Sequence, residues 1–218
     1  MRITVLGSSG RFGTFVCEYF RSQGNIVISI DQNASEKKIT ESLLSSEISL
    51  LATPIKETIS YVEEYSDVAH FVEVCSIKAP FRKYSGKILS LHPFFGPESF
   101  RVSSRRKIAL ITDICPVGSE FTVKKIFPDC SVIKMNSDEH DRMMASEQGL
   151  PYLISLYFRK STRLIQPFTG SGQTLKEIIQ LSNMESIEVM KDSIAENAEV
   201  KILLSEIIEF FRQINLRF

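Results

Sequence analysis

Three stretches of the chain carry side chains suited to chemistry on a small molecule. LHPFFGPESF places His92 after an apolar run and before Pro93. An imidazole with an ordinary pKa of about 6.5 can take a proton from an alcohol near neutral pH. VLGSSGRFG places Gly7, Ser8, Ser9, Gly10, Arg11, Phe12 and Gly13 where an apolar run gives way to a helix. Glycines there allow a tight turn and close backbone approach. The free N–H groups of the helix start form an anion site, to which the Ser8 and Ser9 hydroxyls add donors. Asp31 ends the next apolar run, about twenty residues beyond the glycines. Its carboxylate can accept hydrogen bonds from both hydroxyls of a ribose and repels a 2′-phosphate.

Turn and acid together predict a dinucleotide site. Read as G-x-G-x-x-G over Ser8–Gly13, the motif keeps its second and third glycines. Its first position is Ser8, preceded by Gly7, so the match is degraded. Gln32 and Asn33 follow Asp31 with no arginine, which favours NAD over NADP. The alternative for Asp31 is a turn or helix-cap residue. For His92 it is a hydrogen-bonded packing residue. His92 is preferred because Pro93 cannot continue a ladder, so the chain should turn there, at the sheet edge where ligands bind. His70, at the start of a strand, reads as structural.

These residues need a scaffold, and the hydrophobic pattern supplies one. Short β-branched runs at 2–6, 26–30, 48–52, 71–75, 88–91, 108–111 and 131–135 predict strands. Helical spacing over 12–23, 55–65 and 118–126 predicts helices between them. Alternation of this kind implies βαβ units in a mostly parallel, doubly wound α/β sheet of the Rossmann type. Thr53 and Pro54, ending the third strand, should lie near the nicotinamide ribose. From Asp138 onward nearly everything is helix-like, with a Pro/Gly/Ser-rich break at 166–172. The expectation is a dinucleotide-binding domain over 1–136 and an all-α dimerisation domain over 137–218. About eighty helical residues make a thin core alone. This half should therefore pack on the first domain and on a second copy of the chain, the alternative being a helical cap on a monomer.

Bulk properties exclude several classes. Twenty-six basic residues balance 26 acidic ones, which argues against a nucleic-acid partner. No apolar stretch reaches the ~20 residues that span a bilayer, and no signal peptide is expected. Cys17, Cys75, Cys115 and Cys130 are scattered without C-x-x-C spacing. They read as reduced thiols of a cytoplasmic protein, not as a disulfide framework or a metal site.

Taken together, VLGSSGRFG, VEVCSIKAP, LHPFFGPES and DEHDRMMA resemble, in order and spacing, the prephenate dehydrogenase family of tyrosine biosynthesis. The likeness covers the first domain and the start of the helical one, and HP-F-G-P-E is its most specific part. It implies an NAD-dependent enzyme with a helical dimerisation domain. His92 would hydrogen-bond the ring hydroxyl of prephenate. Ser76 would bond the same region and orient the histidine. Ser8 to Gly13 would hold the pyrophosphate. Glu139-His140-Asp141 would match a motif at the start of the long helix. Lys78, Tyr152, Gln173 and Lys176 are the candidate substrate contacts.

Two departures qualify the likeness. The family continues Leu-Pro-His where this chain has Leu150-Pro151-Tyr152, and a tyrosine carries no charge near neutral pH. The family's carboxylate-gripping arginine falls where Gln173 and Thr174 stand. Glutamine cannot replace a guanidinium fork, which leaves Lys176 or Arg163 to serve. The expected activity is oxidative decarboxylation of prephenate or arogenate. The alternatives are an NAD-dependent oxidoreductase on another hydroxy acid, or a non-catalytic NAD-binding dimer.

Overall fold

Apolar runs that end in turn residues form the sheet. In the computed structural model, which describes residues 1–102, 106–160 and 169–214, they are β1 (Arg2–Leu6), β2 (Ile26–Ile30), β3 (Ile48–Leu51), β4 (Phe71–Glu73), β5 (Leu89–Pro93), β6 (Lys107–Ile111) and β7 (Ser131–Met135). Their order is β2-β1-β3-β4-β5-β6-β7. The first five are parallel. β6 pairs with β5 antiparallel, and β7 is parallel to β6. The last two strands thus run against the rest of a mainly parallel sheet.

Helices α1 (Arg11–Ser22), α2 (Glu36–Leu44), α3 (Ile55–Tyr65), α4 (Pro97–Val102) and α5 (Ser119–Ile126) connect the strands. One apolar cluster joins Val16 and Phe20 of α1 and Val123 and Ile126 of α5 to Ile3, Val5, Leu89 and Leu91. The other joins Leu43 of α2 and Val62 of α3 to Leu6, Leu51 and Phe71. Both faces of the sheet are covered, which is why its strands read as continuous apolar runs.

The reversal after β5 has a local consequence. The chain leaves β5 at its carboxyl end and re-enters the sheet from that same edge. Pro93 stays in the ladder, opposite Ile108, and the Phe94 amide donates to the Lys107 carbonyl at 2.9 Å. The expected turn at Pro93 is therefore corrected. β4 has already ended opposite Ser90, so proline's missing N–H interrupts no hydrogen bond on that side. Phe95 and Phe100, on either side of the α4 start, pack on Phe15 of α1 at ring separations of 6.3 and 4.9 Å. The segment after His92 is thereby stuck to the helix that follows the glycine turn.

The chain divides after Ser137, into Met1–Ser137 and Asp138–Phe218. The expected boundary fell one residue earlier. Ser137 belongs to the first unit because its amide and hydroxyl donate to Asp113, at 2.8 and 2.6 Å, and its hydroxyl accepts from Arg82 Nε at 2.6 Å. The second unit is helical: α6 (Ser137–Met144), which starts at that serine, a π-helical turn at Ala145–Gly149, then α7 (Leu150–Lys160), α8 (Gly170–Met184), α9 (Ile187–Ala195) and α10 (Ala198–Gln213). The widened turn lies just before Pro151, whose ring and missing N–H would break a regular helix. Among the described residues no helix is long and apolar enough to cross a membrane.

The first βα corner leaves no slack. A Cβ on Gly13 would overlap the Gly7 carbonyl, and Gly7 itself sits at φ +78°. Gly24 also has positive φ, but open space surrounds it. Gly13→Ala should cost about 3 kcal/mol through overpacking, and Gly24→Ala about 1–2 kcal/mol through backbone conformation alone. Urea unfolding of both variants checks this; equal costs would mean that the corner yields freely.

Candidate active site

Five parallel strands place their carboxyl ends along one edge, and the candidate residues occupy those ends in spatial order. Asp31 follows β2, the glycine turn follows β1, Thr53 and Pro54 follow β3, Ser76 follows β4, and His92 sits in the last turn of pleat of β5.

At β1 the tight-turn role falls to Gly7, not to the position of Ser8. Gly7 has positive φ, and its amide and that of Ser8 donate to the Ile30 carbonyl at 3.0 and 3.1 Å. The effective motif is therefore Gly7-x-x-Gly10-x-x-Gly13, one residue longer than the pattern sought. α1 begins at Arg11 after Gly10, with no side-chain cap and no acid in its first turn. That leaves the helix start suited to a phosphate. Phe12 is half-buried, against Phe15.

Asp31 closes over this turn. Its carboxylate accepts from the Ser9 amide at 3.0 Å and the Gln32 amide at 2.9 Å. The Ser9 side chain, then the Gln32 amide, hold its carboxyl below the usual carboxylate range. Beside it, a groove of 410 Å³ runs between α2 and α3, lined by Ala34, Ile39, Tyr61, Glu36, Glu57 and Glu64. Burial first, then the charges of Glu64, Asp31 and Glu57, push the Tyr61 phenol up. A groove of 440 Å³ at the opposite edge, among Met1, His70, Val117 and Phe121, contains none of the candidate residues.

At β3 the Thr53 hydroxyl is 2.8 Å from that of Thr58, and Pro54 is the N-cap residue of α3. Ser76 is half-buried in the bend after β4. His92 is 7% exposed, and its ring meets that of Phe94 edge-on at 5.3 Å. Leu89 and Leu91 point into one apolar cluster, so Ser90 and His92 alternate to the other face.

Sequence reasoning missed a charged network below this edge. Glu73, Lys78 and Ser90 are all fully buried. Lys78 Nζ donates to Glu73 Oε1 at 2.8 Å and to the Leu91 carbonyl at 2.6 Å. The expectation that Lys78 contacts substrate is corrected, because its ammonium is enclosed by protein and bonded inward. The signal was present: two opposite charges inside the apolar run FVEVCSIK.

The second unit holds the remaining candidates. Tyr152 is buried, its hydroxyl 3.1 Å from Gln148 Nε2. Gln173 and Lys176 are exposed on α8, with Gln173 bonded to Glu177 at 3.2 Å. Arg163, and residues 166–168 of the expected break, lie outside the described residues. His140 is fully buried, with Nδ1 2.8 Å from Asp141. Asn197 donates to the Asp141 carbonyl at 2.8 Å while capping α10. This motif braces one helix against another.

An open mainly parallel sheet with a glycine turn at β1 defines a dinucleotide-binding fold. No protein-family model matches the sequence, and no curated protein does. Solved structures match throughout: prephenate dehydrogenase from A. aeolicus in complex with hydroxyphenyl propionate and NAD+ (16% identity, 98% of this chain, 88% of that one, TM-score 0.75), and Synechocystis arogenate dehydrogenase (17% identity, 99% and 90%, TM-score 0.60). The chain has the fold of the prephenate and arogenate dehydrogenases.

Because the folded state lowers the Asp31 pKa, its link to Ser9 is complete above the ordinary carboxylate value. It is lost as pH falls through the lowered one. The Ser9 amide resonance should therefore titrate with a midpoint below about 3.9. A midpoint at or above that value would overturn the assignment.

Proposed function

We propose that the protein is an NAD-dependent dehydrogenase that oxidises prephenate or arogenate, with His92 as the base. The observation that carries this reading is the order of residues across the sheet edge. From Asp31 at β2 to His92 at β5 there are four strand spacings, about 19 Å in all, a span on the scale of an extended dinucleotide. Asp31 would take the adenosine ribose, the Gly7–Gly13 turn the pyrophosphate, and Thr53 the second ribose, leaving Ser76 and His92 beside the reacting ring.

The residues fit that cofactor. Gly7 and Gly13 let the end of β1 pack against Ala52 and the start of α1, where a Cβ on either would strike backbone, and the uncapped start of α1 held there offers donors to phosphate. The carboxylates of Asp31, Glu57 and Glu64 around the groove repel a 2′-phosphate, which selects NAD over NADP. When bound, NAD supplies a hydride acceptor. His92 takes the proton of the hydroxyl on the carbon being oxidised, and Ser76 holds that oxygen. Loss of carbon dioxide from the resulting ring leaves an aromatic phenol. Aromatisation drives the reaction, so what the protein must add is a base, alignment and a hold on the carboxylate.

A second reading is favoured by one observation. Gln173 is exposed and bonded to Glu177, and it brings no charge for a ring carboxylate. This favours a hydroxy acid with a single carboxylate. The helical unit also leaves Ile202 and Phe210 of α10, and Ile214 just after it, exposed on one side, an apolar surface suited to a second copy of the chain.

NADH absorbance should rise with prephenate or arogenate, and much less with NADP in place of NAD. His92→Asn should lower kcat by about 10²–10⁴-fold while NAD affinity holds. NAD binding without turnover of either substrate would defeat the reading in favour of the second. Sedimentation should give a particle of twice the 24.7 kDa chain mass, and Phe210→Glu should return it to one; a wild-type monomer would remove the dimer.

A further inference from the structure

We propose that Glu73 and Lys78 are positioning residues, whose enclosed ion pair fixes Ser76 in its bend against the stretch of β5 that carries His92. The inference rests on the reading of His92 as the base.

The backbone ladder stops short of the site. β4 and β5 are paired through Glu73 and Ser90, and there β4 ends. Ser76 and His92 both lie beyond that last rung. From there side chains hold the two segments in register. Glu73 Oε1 accepts from Lys78 Nζ and from the Ser90 hydroxyl, which ties β4 to β5. Glu73 Oε2 accepts from the Cys75 amide at 2.8 Å, which sets the start of the bend. Lys78, at the end of the same bend, donates to the Leu91 carbonyl at 2.6 Å, in the peptide unit that leads into His92. Cys75 Sγ lies 3.6 Å from Thr58 Oγ1, which links the bend to the segment after β3. Ser76 is thus bracketed by two anchored neighbours, and one anchor reaches the residue beside the base.

Charge is a poor way to stabilise this place and a good way to stiffen it. All three side chains are fully buried. Apolar side chains of equal volume are often as stable as an enclosed ion pair, because both charges lose their hydration. Hydrogen bonds between charged partners are shorter and more directional than apolar contacts. A network with three donors on one carboxylate therefore defines positions that packing would leave loose.

The test is the Glu73→Leu/Lys78→Met double variant, which removes both charges at similar volume. It should fold and bind NADH near the wild-type affinity. Its kcat should fall on the order of 10²-fold, as misplacement by about 1 Å does, with KM for substrate moving less. In ¹⁵N spectra the His92 imidazole signals should shift, while those of His70 and His140, the other two histidines, stay in place. Wild-type kcat with unmoved His92 signals overturns the proposal, and so does an NADH-affinity loss as large as the loss in kcat. Should the double variant not fold, Ser90→Ala cuts only the Glu73–β5 link. A shift at His92 with reduced kcat then supports the proposal, and no change overturns it. If the wild-type protein oxidises neither prephenate nor arogenate, the functional reading fails on its own, and the His92 signals still decide the positioning role.

Discussion

At the first βα corner, the backbone of Gly13 lies against the carbonyl of Gly7 with no space for a Cβ between them. That contact presses the start of α1 onto the end of β1. It turns the first amides of the helix toward the loop and brings Ser9 within reach of Asp31. A larger side chain at Gly13 would push the helix away from the strand. The neighbouring Thr53 methyl and Ala52 carbonyl also approach Gly7 closely, so β3 shares the same constraint.

The opposite end of the edge is organised by different forces. There, rings and an enclosed ion pair do what glycine does at β1. Phe95 and Phe100 bind the segment after His92 to Phe15, and the Arg106 guanidinium lies 3.8 Å over the Phe100 ring. Aromatic pairs of this kind add about 0.5–1.5 kcal/mol each beyond the area they bury. The antiparallel return of β6 makes this arrangement possible, because it keeps the connecting segment at the edge where the histidine lies.

Much of the scaffold was legible because burial on both faces writes itself as short apolar runs. β1, β2 and β7 begin and end where those runs do. α2 was missed because few of its residues are apolar, although Ser35 gives the cap signal by accepting from the Lys38 amide. The ends of α8 and α9 were missed for a similar reason: Ser186 and Asn197 cap the next helices inside a nearly continuous helical pattern. The direction of β6 was hidden, since periodicity carries no information on which way a strand runs. At the site, Gly7, Asp31 and His92 stood out by residue type and by distance from a strand end. The pairing of Glu73 with Lys78 did not, because it depends on how a bend folds back on the neighbouring strand. Residue type alone points Lys78 out toward a ligand, whereas it reaches in.

The stations along the sheet edge follow chain order, apart from the exchange of the first two strands. Each belongs to a different βα connection. Neighbouring stations are nevertheless tied to one another, Ser9 to Asp31 and Lys78 to the Leu91 carbonyl. A change in the loop after β2 therefore reaches the turn at β1, and a change in the bend after β4 reaches β5.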